Sequence, residues 1–237
     1  LKRAGALSQG AALVVAPASL LRNWQEELAR FAPQLRVLTL HPYALNAADR
    51  ELLRADPARL LRRGDVALTT YGMVSRLELL AGLSLPALVL DEAQAIKNAD
   101  SARARAVRRL RAPRRVALTG TPVENRLMEY WSILSVVMPG LLGSATDFQR
   151  EYATPIEIDH DPARLEAFRR LTAPFMIRRV KSDKSIIRDL PEKNVIDRFT
   201  SITKEQAALY AKTLDESMRK LRGEDRSMTL AQRRGIV

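Results

Sequence analysis

Asp91 and Glu92 are adjacent carboxylates that close the apolar run at 87–90. Acids in this position have two uses. They can sit at a helix start, where exposed N–H groups and the helix dipole stabilise negative charge. Alternatively, an Asp leaving a buried strand can hold a magnesium ion, often through water, while the next carboxylate polarises a water for attack on a phosphate. The pair alone leaves both readings open. Other polar residues stand in comparable places. "VVAPAS" leads to Pro17, Ala18 and Ser19, "ALTTY" to Thr69, Thr70 and Tyr71, and "ALTGTP" to Thr119, Gly120, Thr121 and Pro122. Each follows a short apolar stretch with the composition of a buried strand.

The elements that must carry these loops alternate along the chain. Strands are expected at 11–17, 35–40, 65–71, 87–90 and 115–120. Ser19 is expected to cap a helix with Leu20, Leu21, Trp24, Leu28 and Phe31 at helical spacing. Further helices are expected at 47–63, limited or kinked by Pro57, at 74–80, after Ser101, and at 127–137. Strands alternating with helices predict an α/β fold, a parallel sheet covered on both faces. In such sheets ligands bind beyond the carboxyl ends of the strands, where all four polar loops would lie.

From 139 onward the alternation stops. Asp161 and Pro162 start an amphipathic helix, a strand is expected at 194–199, and Thr203 caps a long helix with Glu205 and Gln206 in its first turn. The expected organisation is a first lobe over 1–138, a mostly helical insertion and connector over 139–200, and a linking helix over 201–237.

Composition narrows the function. Cysteine is absent, which removes disulfides and thiolate metal sites, and His41 and His160 are too far apart in sequence to suggest zinc. No apolar run approaches the roughly 20 residues of a membrane span, and no membrane partner is expected. The N-terminus does not read as a signal peptide. The net charge of +12 favours a polyanionic partner, nucleic acid first. Arg103, Arg105, Arg108, Arg109, Arg111, Arg114 and Arg115 form a run without an acid, spaced to cover much of a helix surface rather than one stripe. Trp24, on an apolar helix face, reads as core in preference to a base-stacking residue.

Taken in order, "LVVAPASLLRNWQEELARFAP", "ALTTYGMV", "LVLDEAQAIKNADS", "ALTGTPVENRLMEYWSILSVVMPGLLG" and "FMIRRVKSDKSIIRDLPEKN" resemble the Swi/Snf family of helicase-like, DNA-dependent ATPases. The resemblance covers about 11–210, and its "DEAQ" form looks bacterial or archaeal. It implies a RecA-like parallel sheet, ATP and Mg2+ as cofactors, and double-stranded DNA as partner. Asp91 would coordinate magnesium, Glu92 would activate the hydrolytic water, and Gln94 would sit near the nucleotide and link it to the neighbouring loop. Thr119, Gly120, Thr121 and Pro122 resemble the loop that couples hydrolysis to domain motion. Pro17, Ala18 and Ser19 resemble one strand-contacting motif, and Thr69, Thr70 and Tyr71 a second. Asn125 either contacts nucleic acid or holds the loop after "TGTP". Arg178 and Arg179 resemble paired basic residues of the connector, or form a salt-bridged surface.

The sequence departs from that family pattern in two respects. No Gly is followed by Lys, so the phosphate-cradling G-x-x-x-x-G-K-[ST] loop is absent from these residues. The second RecA-like lobe, which would supply arginine fingers, is also absent. We therefore expect a segment of a longer, cytoplasmic and nucleoid-associated DNA translocase that displaces DNA-bound complexes such as RNA polymerase. The segment itself is expected to be inactive. The alternative is a non-catalytic nucleic-acid-binding or scaffold module; an RNA helicase of the same superfamily fits the motif blocks less well.

Overall fold

The apolar runs fold into a five-stranded sheet in the computed structural model, which describes residues 10–120, 126–178, 196–198 and 201–222. The strands are β1 (Ala12–Ala16), β2 (Val37–Thr39), β3 (Val66–Thr70), β4 (Leu88–Leu90) and β5 (Arg115–Ala117). Their order is β2-β3-β1-β4-β5, and every pairing is parallel. Val15 of β1 stands level with Thr69 of β3 on one side and Leu90 of β4 on the other. The loops after these strands therefore leave the same edge. After β3 the chain crosses β1 to lay β4 on its far side, the reversal that opens a crevice in such sheets.

A central parallel strand is buried on both faces and needs an apolar residue at every position. β1 meets that need. Leu13 and Val15 join one core with Leu40, Ala67, Leu88, Leu90 and Val107, while Val14 and Ala16 join a second with Leu21 and Leu68. Trp24 and Leu28 of α1 (Leu21–Phe31) pack against that second core. The helices α2 (Ala47–Ala55), α3 (Pro57–Leu61), α4 (Tyr71–Arg76) and α5 (Ala102–Arg109) each begin at a residue whose side chain accepts an N–H of the first turn. These caps are Asn46, Asp56, Thr70 and Ser101. α6 (Leu127–Val137) is apolar nearly all round because it serves two cores. Ile133 and Val136 face the sheet. Tyr130, Trp131 and Leu134 face a separate aromatic cluster with Phe148 and Phe168. That cluster is built by α7 (Ala145–Phe148), a π-helical turn (Gln149–Ala153), α8 (Thr154–Glu157) and α9 (Pro162–Thr172), which Asp161 caps.

Several expectations need correction. Ser19 does not cap α1. Pro17 leads into a 3-10 turn over Ala18–Leu20, closed by Leu20 N–H donating to the Pro17 carbonyl at 3.0 Å, and α1 starts at Leu21 without a side-chain cap. Phe31 ends that helix beyond its packed face and is 70% exposed. Pro57 does not kink one helix but starts a new one. The Asp56 N–H closes α2 on the Leu52 carbonyl, and its side chain caps α3. The helix expected at 74–80 is α4, which starts at Tyr71, followed by a 3-10 turn over Glu78–Gly82. The arginine run does not clothe one helix, because α5 stops at Arg109 and Arg115 belongs to β5.

The chain falls into two units, Leu1–Ile177 and Arg178–Val237. In the second, α10 (Lys204–Arg222) opens on a reciprocal cap: Gln206 N–H donates to Thr203 Oγ1, and Thr203 N–H to Gln206 Oε1. Residues 196–198 are not a strand, and 194, 195 and 199, the rest of the strand expected at 194–199, lie outside the described residues. No helix among the described residues is long and apolar enough to cross a membrane.

Candidate active site

Beyond β4 the backbone turns sharply. Asp91 N–H still donates to the Val15 carbonyl at 2.8 Å, which holds Asp91 at the edge of β1. Glu92 then adopts a left-handed conformation with φ of 49°, unusual for a residue with a long side chain. The turn is held by two bonds. Glu92 N–H donates to Asp91 Oδ1 at 3.0 Å, and Ala93 N–H donates to the Leu118 carbonyl at 2.9 Å. The second bond extends the β4–β5 pairing past the strands and brings the 3-10 turn Ala93–Ile96 against the loop after β5. Ser132 of α6, fully buried, donates to the Ile96 carbonyl at 2.6 Å and fixes the far end of that turn.

A chain of side chains results. Gln94 Nε2 donates to Glu92 Oε2 at 2.5 Å, and Thr119 Oγ1 donates to Gln94 Oε1 at 2.7 Å. Gln94 is the residue type for this position because its amide presents a donor to the carboxylate and an acceptor to the hydroxyl at once. Glu92 is thus wired to the first residue of "TGTP". Thr119 is half-buried and Gly120 exposed. Thr121, Pro122 and Asn125 lie outside the described residues, as does Arg179; Arg178 is exposed.

Asp91 is held from three sides. Besides the Glu92 N–H on Oδ1, Trp24 Nε1 donates to Oδ2 at 2.7 Å, and Tyr71 Oη donates to the Asp91 carbonyl oxygen at 2.8 Å. Each carboxylate oxygen accepts one of these bonds and keeps a further lone-pair direction. Among the described residues no group of three or more His, Cys, Asp or Glu could hold a metal. One well-oriented carboxylate suits an ion that keeps most of its waters and is completed by phosphates, which is how magnesium binds; it does not suit zinc or calcium. Burial pushes the Tyr71 phenol well above its ordinary range, and the nearby charges of Asp91 and Glu92 push it further. It therefore stays a neutral donor.

The remaining expected residues occupy the same rim. Pro17 is half-buried, and Ala18 and Ser19 are exposed at the start of the turn after β1. Thr69 is fully buried and donates to the Leu40 carbonyl at 3.1 Å, while Thr70 caps α4 by accepting from Met73 N–H at 3.1 Å. Sequence reasoning set a core role for Trp24 against base-stacking and foresaw no partner at the site. The Trp24 ring does pack in the core, but its indole N–H ends on Asp91. The available signal was that a buried indole N–H usually finds a partner. Ser132 was not singled out at all, and a Ser within a largely apolar helix was the signal for it.

The comparisons with known proteins bear on the family and the fold. A family model, the SNF2-related domain, matches residues 3–234. YwqA of Bacillus subtilis (strain 168), a candidate ATP-dependent helicase/translocase, is 39% identical over 226 residues, covering 95% of this chain and 23% of YwqA. The chromatin-remodelling ATPase INO80 of Gibberella zeae is 36% identical over 217 residues, covering 85% of this chain and 11% of INO80. The Sulfolobus solfataricus SWI2/SNF2 ATPase core, solved in complex with dsDNA, is 36% identical with a TM-score of 0.68. That match covers 99% of this chain and 46% of the Sulfolobus one. The chain therefore spans less than a quarter of these curated relatives. With a five-stranded parallel sheet of the RecA-like type and motifs in family order, the chain belongs to the SNF2-related domain family.

Proposed function

We propose that the full-length protein is an ATP-driven double-stranded DNA translocase or remodeller of the Swi/Snf type, and that this chain supplies part of its first RecA-like lobe. The observation that carries the reading is the wired pair: Asp91 oriented by three hydrogen bonds, and Glu92 linked through Gln94 to Thr119. A degenerate binding module has no use for that arrangement. Asp91 would hold Mg2+ through water, and the ion would neutralise charge on the phosphates of ATP. Glu92, kept by Gln94 at one carboxylate oxygen, has its other oxygen to orient a water. Thr119 and Gln94 would pass a change at the nucleotide to the loop containing Gly120, Thr121 and Pro122.

DNA would lie along the rim formed by Pro17, Ala18 and Ser19 and by the segment of Thr69, Thr70 and Tyr71, with Asn125 nearby. The Thr69 and Tyr71 side chains are used internally, so contact from that segment would come from its backbone. The similarity to a SWI2/SNF2 core solved with dsDNA supports this choice of partner. Translocation would displace DNA-bound complexes such as RNA polymerase, at the nucleoid in the cytoplasm. The 139–200 insertion and connector would join this lobe to a second one. This chain alone is proposed to turn over ATP poorly, since no phosphate-cradling loop lies within it.

ATP hydrolysis by the full-length protein, measured with and without duplex DNA, tests the reading. Duplex DNA should stimulate turnover, and Glu92→Gln should reduce it by about a hundredfold or more, the range of one general-base contribution. Unstimulated turnover, or a Glu92→Gln variant within a few-fold of wild type, sinks the proposal.

A further inference from the structure

Two side-chain donors, an indole and a hydroxyl, reach Asp91 from elsewhere in the chain, one from the helix that follows the first segment proposed to grip DNA and one from the second segment itself. Trp24 lies on the first turns of α1, directly after the exposed turn of Pro17, Ala18 and Ser19. Its Nε1 donates to Asp91 Oδ2 at 2.7 Å across 67 residues of sequence. Tyr71 follows Thr70 at the end of β3, and its Oη donates to the Asp91 carbonyl at 2.8 Å. One bond sets the carboxylate and the other sets the backbone that carries it.

We infer that Trp24 and Tyr71 are positioning residues that tie Asp91 to the two DNA-facing segments, so that DNA contact tunes how well Asp91 holds its metal. The inference rests on the reading of Asp91 as the magnesium carboxylate. Three features support it. Hydrogen bonds to a carboxylate are among the stronger ones, and all hydrogen bonds weaken steeply with length and angle. A shift of α1 by a few tenths of an ångström is therefore felt at Oδ2. The start of α1 has no side-chain cap and follows a turn exposed at Ala18 and Ser19, while Leu21, the Trp24 ring and the Gln25 Nε2 bond to Thr39 Oγ1 at 2.7 Å hold the helix against the sheet, so a displacement at that start is passed to Trp24. Tyr71 is 4% exposed and makes no use of solvent, so its hydroxyl serves Asp91 alone among the described contacts. Binding energies coupled in this way are reciprocal: DNA that improves metal–nucleotide binding must itself be bound more tightly in its presence.

The test uses the full-length protein and a fluorescent, non-hydrolysable ATP analogue. Its binding is titrated with Mg2+, with and without duplex DNA, in wild type, Trp24→Phe and Tyr71→Phe. Both variants keep an aromatic ring in its packing site and remove one donor. In wild type, DNA should lower the half-saturating Mg2+ several-fold. In Trp24→Phe that concentration should rise about tenfold without DNA, one hydrogen bond's worth. The effect of DNA on it should shrink below twofold, and DNA affinity measured without nucleotide should stay within twofold. A merely structural role would lower the melting temperature and leave the Mg2+ requirement where it was. Should Trp24→Phe fail to fold, Tyr71→Phe carries the expectation for Mg2+ alone, with a smaller rise of about threefold. Mg2+ titrations within twofold of wild type in the folded variants, or no DNA effect in wild type, overturn the inference. If wild type hydrolyses ATP without DNA stimulation, or Glu92→Gln keeps turnover, it is the underlying reading that has failed.

Discussion

Asp65 shows how much one buried side chain does at the base of the sheet. It is 5% exposed and accepts three bonds from Arg36: the backbone N–H at 2.9 Å, and Nε and Nη2 at 3.2 Å. The side-chain hydrogen bond and the charge of Asp65 together raise the Arg36 guanidinium above its ordinary value. Asp65→Ala should lower unfolding free energy by about 1–3 kcal/mol, read from the urea midpoint, because it strands a backbone donor between β2 and β3. Tyr71 gives a pH prediction. Its folded-state phenol is raised above the unfolded value of about 10, so the folded state holds the proton more tightly. That contribution is complete below about pH 10 and is lost as pH rises above it. The stability advantage of wild type over Tyr71→Phe should therefore hold up to about pH 10 and narrow as pH rises above it. At this scale the sequence made "DEAQ" legible through its place after an apolar run. It could not show which residues orient Asp91, because Trp24 and Tyr71 reach it only through the sheet order.

Elements were legible where periodicity was strong. All five strands lie within the short apolar runs read as strands, and α6 spans 127–137 as read. Element ends were less legible, because backbone hydrogen bonds decide them locally. Ser19 has the right chemistry for a cap, yet the Pro17 carbonyl closes that turn instead. Asp56 is the opposite case, a junction that composition alone did not separate from one continuous helix. It ends α2 and caps α3 by accepting from Arg59 N–H at 2.9 Å. Asp56→Ala should cost about 1 kcal/mol, with the loss visible as faster amide exchange in α3. If exchange in α3 is unchanged, Pro57 alone defines the helix start.

Charge works on the whole molecule. A net +12 should make DNA binding by the protein weaken steeply with salt, by about a thousandfold from 50 to 200 mM if roughly six phosphates are neutralised. A flat salt dependence would remove the phosphate-contact interface. The arginine run divides in this respect. Arg103, Arg105 and Arg109 are exposed on α5, with Arg109 3.9 Å from Glu78. Arg108 is half-buried, 5.7 Å from the Trp131 ring. Arg115 donates to the carbonyls of Leu110, Ala112 and Val136, and burial lowers its guanidinium from the ordinary value. Composition reported the surplus charge but could not sort it, since surface arginines and carbonyl-capping ones have the same letter.

Glu92 occupies a backbone conformation that costs a long L side chain on the order of 1–2 kcal/mol and costs glycine almost nothing. The residue proposed to activate water is thus poorly suited to its own turn. Improvement of this protein by heat selection alone would drift toward Gly or Asn at this position, gaining melting temperature while losing catalysis. Glu92→Gly should melt higher than wild type and hydrolyse no ATP. Thermostable variants from such a selection should be sequenced at codon 92 before any other.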